Sequence, residues 1–295
     1  PTPVKLLWDC CHKTYISYNA IKKQLKQRSS RCNYEDRKNE FLSYQKTKKK
    51  TKRAEKKLIK KLLKFLVRLL NVHNQIVTQK GITLSLKQNV QMLTITKVYG
   101  QQHSKVYGAV EQIKDRIVSL SKPYIRPIVR GKETKAVEFG AKVNKLQVDG
   151  ISFIEHFSYD AFNEGARLKN CIEMHQQLFG KCTHHSADKI YATNKNRKYC
   201  TSKKIVTNFA PKGKQKAAHI QQSKTMRAIL NKERGTRLEG SFGNEKNHYQ
   251  LKKINARNAI TEKCWIFFGM MTANASIITN RRQKALQEQQ QKQAA

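Results

Sequence analysis

The chain has 295 residues, and its 60 Lys and Arg against 20 Asp and Glu give a formal net charge of +40. Such a surplus attracts polyanions, with nucleic acid the usual partner, although charge alone does not separate an enzyme from a structural RNA-binding protein. Seven scattered cysteines without a CxxC argue against a disulfide-stapled scaffold and fit a reducing cytoplasm.

The chain opens on PTPVKLLWDCC, without an initiator Met, which suggests a fragment. Lys5 and Asp9 interrupt its apolar stretch, so no secretory signal is read there. The first 120 residues read mostly as helix. Between Lys46 and Arg68 stand twelve Lys or Arg and one acid, Glu55, while Ile59, Leu62, Leu63, Leu66, Leu69 and Leu70 recur at helical spacing. This is an amphipathic basic helix, with its cations either solvated or set against a DNA backbone.

Near residue 120 the texture changes. Val137, Phe139, Ala141 and Val143 alternate with polar residues or Gly, as in a half-buried strand. Asp149-Gly150 predicts a hairpin turn into a second strand from Ile151. Asn163 is a candidate N-cap for a helix with Leu168, Cys171, Ile172, His175 and Leu178 on one face, closed by Gly180. A short strand then leads to Asp188, and Ile205-Val206 marks another. Beyond Pro211 the pattern is helical. The run CWIFFGMMTANASIIT, from Cys264 to Thr279, falls short of the roughly 20 residues that span a bilayer and reads as a core helix. The closing Gln-rich stretch reads as a frayed or solvated tail. Cys182 with His184 and His185, or Cys10-Cys11 with His12, suggests zinc, but neither has a second ligand pair at finger spacing.

Four ordered segments carry a resemblance. They are KDRIVSLSKPYIRPIVRGKETKAVEFGAKVNKLQVDG from Lys114, YDAFNEGARL from Tyr159, SADKIYATNKNRKYC from Ser186 and RLEGSFGNEKNHYQL from Arg237. Together they resemble one branch of bacterial insertion-sequence transposases, group five of the DDE class. The resemblance implies an α/β fold, an RNase H-like mixed sheet flanked by helices. Its catalytic core would span 121–280, preceded by a basic helical region over 1–120 and followed by a polar tail over 281–295. It also implies two Mg²⁺ or Mn²⁺ ions held by three acids, because such ions clamp the attacking and leaving oxygens of a phosphodiester.

Asp188 matches the family's second acid, at a strand end, and Glu239 its third, on a helix; both are expected as catalytic metal ligands. Lys246, seven residues after Glu239 and about two turns on, matches a basic residue that holds DNA. Arg126, Arg130 and Lys132 in RPIVRGK, together with Lys189, are further DNA-binding candidates by the resemblance. Lys48, Lys49, Lys50, Lys52 and Arg53 are candidates from the basic run.

The family's first acid precedes the stretch resembling PTPVKLLWDCC, so the triad reads as incomplete; neither Asp9 nor the turn residue Asp149 is assigned to it. Gly235 stands where the family has an Arg, and the approach CTHHSA is polar for a central strand. The expected function is cleavage and strand transfer of element ends, lost in this chain, with a non-catalytic nucleic-acid binder as the alternative. The partners are terminal inverted repeats and target DNA, handled by a homodimer at the nucleoid, with no membrane role.

Overall fold

The structure, a computed structural model, describes residues 2–28, 32–108, 110–129, 137–213 and 217–294. The protein is mixed α/β, predominantly helical with small sheets, and the chain divides into two compact units, residues 1–140 and 141–295.

The first unit is built from α1 (Pro3–Gln24), α2 (Tyr34–Lys46), α3 (Lys52–Gln79) and α4 (Leu86–Tyr107). Three of the four starts are capped by a side chain. Thr2 accepts from the Lys5 N–H with Pro3 opening α1, Thr51 accepts from the Ala54 N–H, and Ser85 with Gln88 forms a capping box. The apolar stripe read in the basic run is the buried face of α3, with Leu62, Leu63 and Leu66 almost wholly inaccessible. It packs with Val4, Leu7, Cys10 and Cys11 of α1 and Ile95 and Val98 of α4 into one core. Burial there pushes the Cys10 and Cys11 thiols up, so they remain neutral apolar fillers.

A hairpin of β1 (Pro127–Val129) and β2 (Val137–Phe139) completes the unit. The single strand expected across 137–143 is therefore divided. Gly140, at a φ of +143°, breaks it, and Val137 and Phe139 are exposed rather than facing a core.

In the second unit β3 (Lys142–Val148) and β4 (Ile151–Ser158) form the expected antiparallel hairpin. Asp149 and Gly150, with φ of 46° and 80°, supply the two left-handed residues of its two-residue turn. Successive side chains of a strand face opposite ways. Asn144 accordingly meets Cys171 of α5 (Leu168–Phe179), and Lys145 meets Ser241 of α8 (Gly240–His248). With helices on both faces, no residue of β3 is exposed: Asn144 and Leu146 are buried and the others half-buried.

Asn163 caps a short 3-10 turn, Glu164–Arg167, that leads into α5, and Gly180 ends that helix. Next come β5 (His184–His185), a 3-10 turn at Lys189–Tyr191, α6 (Asn194–Ser202) and β6 (Val206–Thr207), with β5 and β6 parallel. Helix α7 (Ala217–Glu233) runs through a π-helical segment, Arg234–Glu239, into α8. Helix α9 (Ala259–Ala294) closes the chain. Ile266, Met270, Ala273 and Asn274 of α9 are buried, whereas Phe267 and Phe268 on its other side are exposed, so only half of the expected core helix is core. The Gln-rich stretch continues α9 as helix with its side chains in solvent.

The strands form three separate two-stranded sheets among the described residues. No helix in these residues is long and apolar enough to cross a membrane.

Candidate functional site

Asp188 follows β5, exposed, at the start of the 3-10 turn. Its carboxylate accepts from the Lys189 N–H at 2.6 Å, which makes it the cap of that turn. The peptide before it is held on both sides of its backbone. Asn208 accepts from the Ala187 N–H and donates to the Ala187 carbonyl, at 3.0 and 2.9 Å, prolonging the β5–β6 pairing through a side chain. Three residues after Asp188, the Tyr191 hydroxyl donates to Asn144 at 2.6 Å. Asn144 in turn donates to Glu155, which is ion-paired with Arg167. Burial and the nearby Cys171 and acids push the Tyr191 hydroxyl well up, so it stays a neutral donor.

Glu239 ends the π-helical segment. Its carboxylate pairs with Arg234 at 2.8 Å, a contact between residues i and i+5. An α-helix sets such residues on different faces, whereas the wider π turn stacks them. The helical run bearing Glu239 is tied down on two sides. At residues 230–231 it meets the Asp188 segment: Ser186 donates to the Leu230 carbonyl and Asn208 to Asn231, both at 2.8 Å. At residues 237–245 it meets the β3–β4 hairpin. Arg237 pairs with Asp149 at 2.7 Å, and the Lys145 ammonium donates to Ser241 at 2.6 Å and to Glu245 at 3.0 Å.

Glu239 stands nine residues, about 13 Å of helix, beyond the Leu230 anchor. Both acids thus sit on elements braced against one another, yet each carboxylate is engaged locally and they share no hydrogen-bond partner among the described residues. No group of three or more His, Cys, Asp and Glu able to hold a metal ion occurs there. The two carboxylates have the oxygen chemistry that Mg²⁺ takes, but this donor set does not fit two ions.

Asp149 has two tasks in its turn: it also pairs with Arg281 of α9 at 2.9 Å, so the hairpin tip ties α9 to the π segment. Asp9 lies in the other unit, where burial raises its carboxyl pKa against the opposing pull of Lys5 and Lys13.

Lys246 is exposed on α8, and helical spacing sets it on the Glu239 side, while its neighbour Glu245 turns inward to Lys145. Lys189 is exposed beside Asp188. Arg126 is half-buried, and its guanidinium donates to the Pro123 and Ile125 carbonyls, a brace of its own turn. Arg130 and Lys132 lie outside the described residues. Lys48, Lys49, Lys50, Lys52 and Arg53 are all exposed. The Lys50 ammonium donates to the Gln45 and Thr47 carbonyls, closing α2.

Sequence reasoning passed over the Lys145–Glu245 pair, because a lysine in a strand and a glutamate in a helix each read as solvent-facing. Asn144, too, reads in the sequence as one of the polar residues of an alternating strand, with nothing to mark it as buried.

Comparison with known protein families, curated proteins and solved structures finds no match to this chain.

Proposed function

We propose that this chain is part of a DDE-class insertion-sequence transposase with an RNase H-like core, that it binds duplex DNA, and that these residues alone do not cut it. One observation carries the reading. The helical run holding Glu239 is bonded on one side to the strand end that presents Asp188 and on the other to a hairpin strand. The family's second and third acids need such a juxtaposition of elements, since they are 51 residues apart in sequence. The order of elements supports it as well: hairpin, helix, short strand before Asp188, parallel strand, glutamate helix, final helix.

The outer edges of β3 and β5 pair with no further strand among the described residues, which leaves positions where a first strand bearing the family's first Asp would add. With such a strand present, Asp188 and Glu239 would supply the remaining carboxylates for Mg²⁺ or Mn²⁺. The partners are then the element's terminal inverted repeats and target DNA, engaged by a homodimer at the nucleoid.

The second reading, a non-catalytic nucleic-acid binder, is favoured by the Arg234–Glu239 pair, which neutralises the very carboxylate the enzyme would need. Cleavage of a labelled duplex carrying an element end separates the two. The chain as it stands should bind without cutting. A version extended by the family's first strand and Asp should cut with a divalent ion, and Asp188→Ala or Glu239→Ala should abolish that cutting. Cutting by the unextended chain would overturn the claim of inactivity. Failure of the extended version would give the lead to the binder.

A further inference from the structure

We infer that the solvent-facing stripe of α3, formed by Arg53, Lys56, Lys57, Lys60, Lys64 and Arg68, is the surface that grips the backbone of duplex DNA. This inference rests on reading the chain as a DNA-binding protein and says where and how it binds. At 100° per residue these six cations fall within an arc of about 120°, and they extend along about 22 Å of helix. The buried face, Leu58, Leu62, Leu63, Leu66, Leu69 and Leu70, lies opposite and fixes the helix against the unit's core. The one acid of the run, Glu55, is turned toward that core side and does not interrupt the stripe.

The stripe works against its own helix. Arg53–Lys57, Lys56–Lys60, Lys60–Lys64 and Lys64–Arg68 are like-charge pairs at i,i+4, and Arg53 lies in the first turn, where the helix dipole disfavours cations. Neighbouring acids give little relief. Among the described residues, the carboxylate pairing in the Lys46–Arg68 run is that of Lys61, at the stripe's edge, with Glu40 at 2.7 Å. Lys60 instead lies over the Tyr107 ring, 5.6 Å from its centroid. A polyanion relieves the repulsion that the folded chain leaves standing.

Beyond Arg68 the same face continues with exposed Asn71 and Gln75, uncharged donors suited to phosphate oxygens or base edges. The face holds a single apolar side chain, the half-buried Val67, too little with which to enter a lipid surface, because the rest of the apolar side of α3 is committed to the core. The loop lysines are subordinate: Lys50 closes α2, and Lys48 and Lys49 lie outside the helix that fixes the stripe.

The test is the salt dependence of binding to a short labelled DNA duplex of arbitrary sequence. In the stripe variant Lys57, Lys60, Lys64 and Arg68 all become Gln; in the loop variant Lys46, Lys48, Lys49 and Lys50 do. Each phosphate contact contributes about 0.9 to the slope of log K against log salt. The stripe variant should therefore lose about 3 to 4 from that slope, and the loop variant about 1 or less. Changing the stripe lysines to Arg should leave the slope unchanged. If the quadruple variant loses helix content by circular dichroism, Lys60→Gln and Lys64→Gln made singly should each remove about 1.

An unchanged slope in the stripe variant, with the loss in the loop variant instead, would overturn the inference while leaving DNA binding intact. Tighter binding to an RNA duplex or to anionic vesicles would overturn the choice of partner. Absence of duplex binding by the wild-type chain would remove the underlying reading itself.

Discussion

Glu245→Gln should destabilise the second unit far more than a surface carboxylate would. The Lys145 side chain is 1% exposed and that of Glu245 6%, so water contributes almost nothing to the ammonium. Its partners are Glu245 at 3.0 Å, Ser241 at 2.6 Å and the Phe242 ring, with the centroid at 3.9 Å. Ser152 also donates to the same Glu245 oxygen. Removing the negative member leaves a buried charge without compensation, a loss of about 3–5 kcal/mol. Gln keeps an acceptor for Ser152, which places the expectation near the lower figure.

At about 2–4 °C per kcal/mol for a protein of this size, the melting midpoint should fall by roughly 6–12 °C. The double variant Lys145→Met, Glu245→Leu should return to within about 1 kcal/mol of wild type, since it removes both desolvation costs. Burial holds the Lys145 pKa below the usual lysine range despite the pull of Glu245. The unfolded chain then keeps more protons than the folded one between that lowered pKa and the ordinary one, so stability from this group rises with pH there. Urea unfolding of the three proteins at neutral and alkaline pH gives the numbers. A single variant costing under about 1 kcal/mol, or a double variant worse than the single, would refute the reasoning.

Two further outcomes follow from burial. His185 is drawn down to about 4, first by burial and then by His175, so its contribution is full above pH 6.5 and is lost as pH falls toward 4. Up to about 3 kcal/mol should disappear across that window, and His185→Gln should flatten this part of the urea-unfolding profile; an unaltered profile would count against it. Among the thiols, exposed Cys264 should react with a colorimetric thiol reagent at once, while Cys10 and Cys11 react only on unfolding. Labelling of Cys11 at the rate of Cys264 would contradict the packing of α1 on α3.

Much of the local structure was written in the sequence. Asp149-Gly150 defined its hairpin because only residues tolerant of positive φ close a two-residue turn with the right twist. The Leu stripe of α3 defined a buried face because helical spacing alone gathers it to one side. Gly180, too, ended its helix where expected.

What the sequence left undecided was every contact between residues far apart in the chain. The opposite faces of β3 had no assigned partners until α5 took Asn144 and α8 took Lys145, because a strand's alternation says which side a residue takes and not what waits there. Likewise Asp188 and Glu239 could be marked as a pair of acids by resemblance, but their present occupations could not. Asp188 caps its own turn, and Glu239 meets Arg234 through a π-helical register that α-helical spacing does not foresee. Local turn and helix preferences act over a few residues and are legible one segment at a time. Buried charge and helix distortion are fixed by what packs against them, and only the tertiary structure decides that.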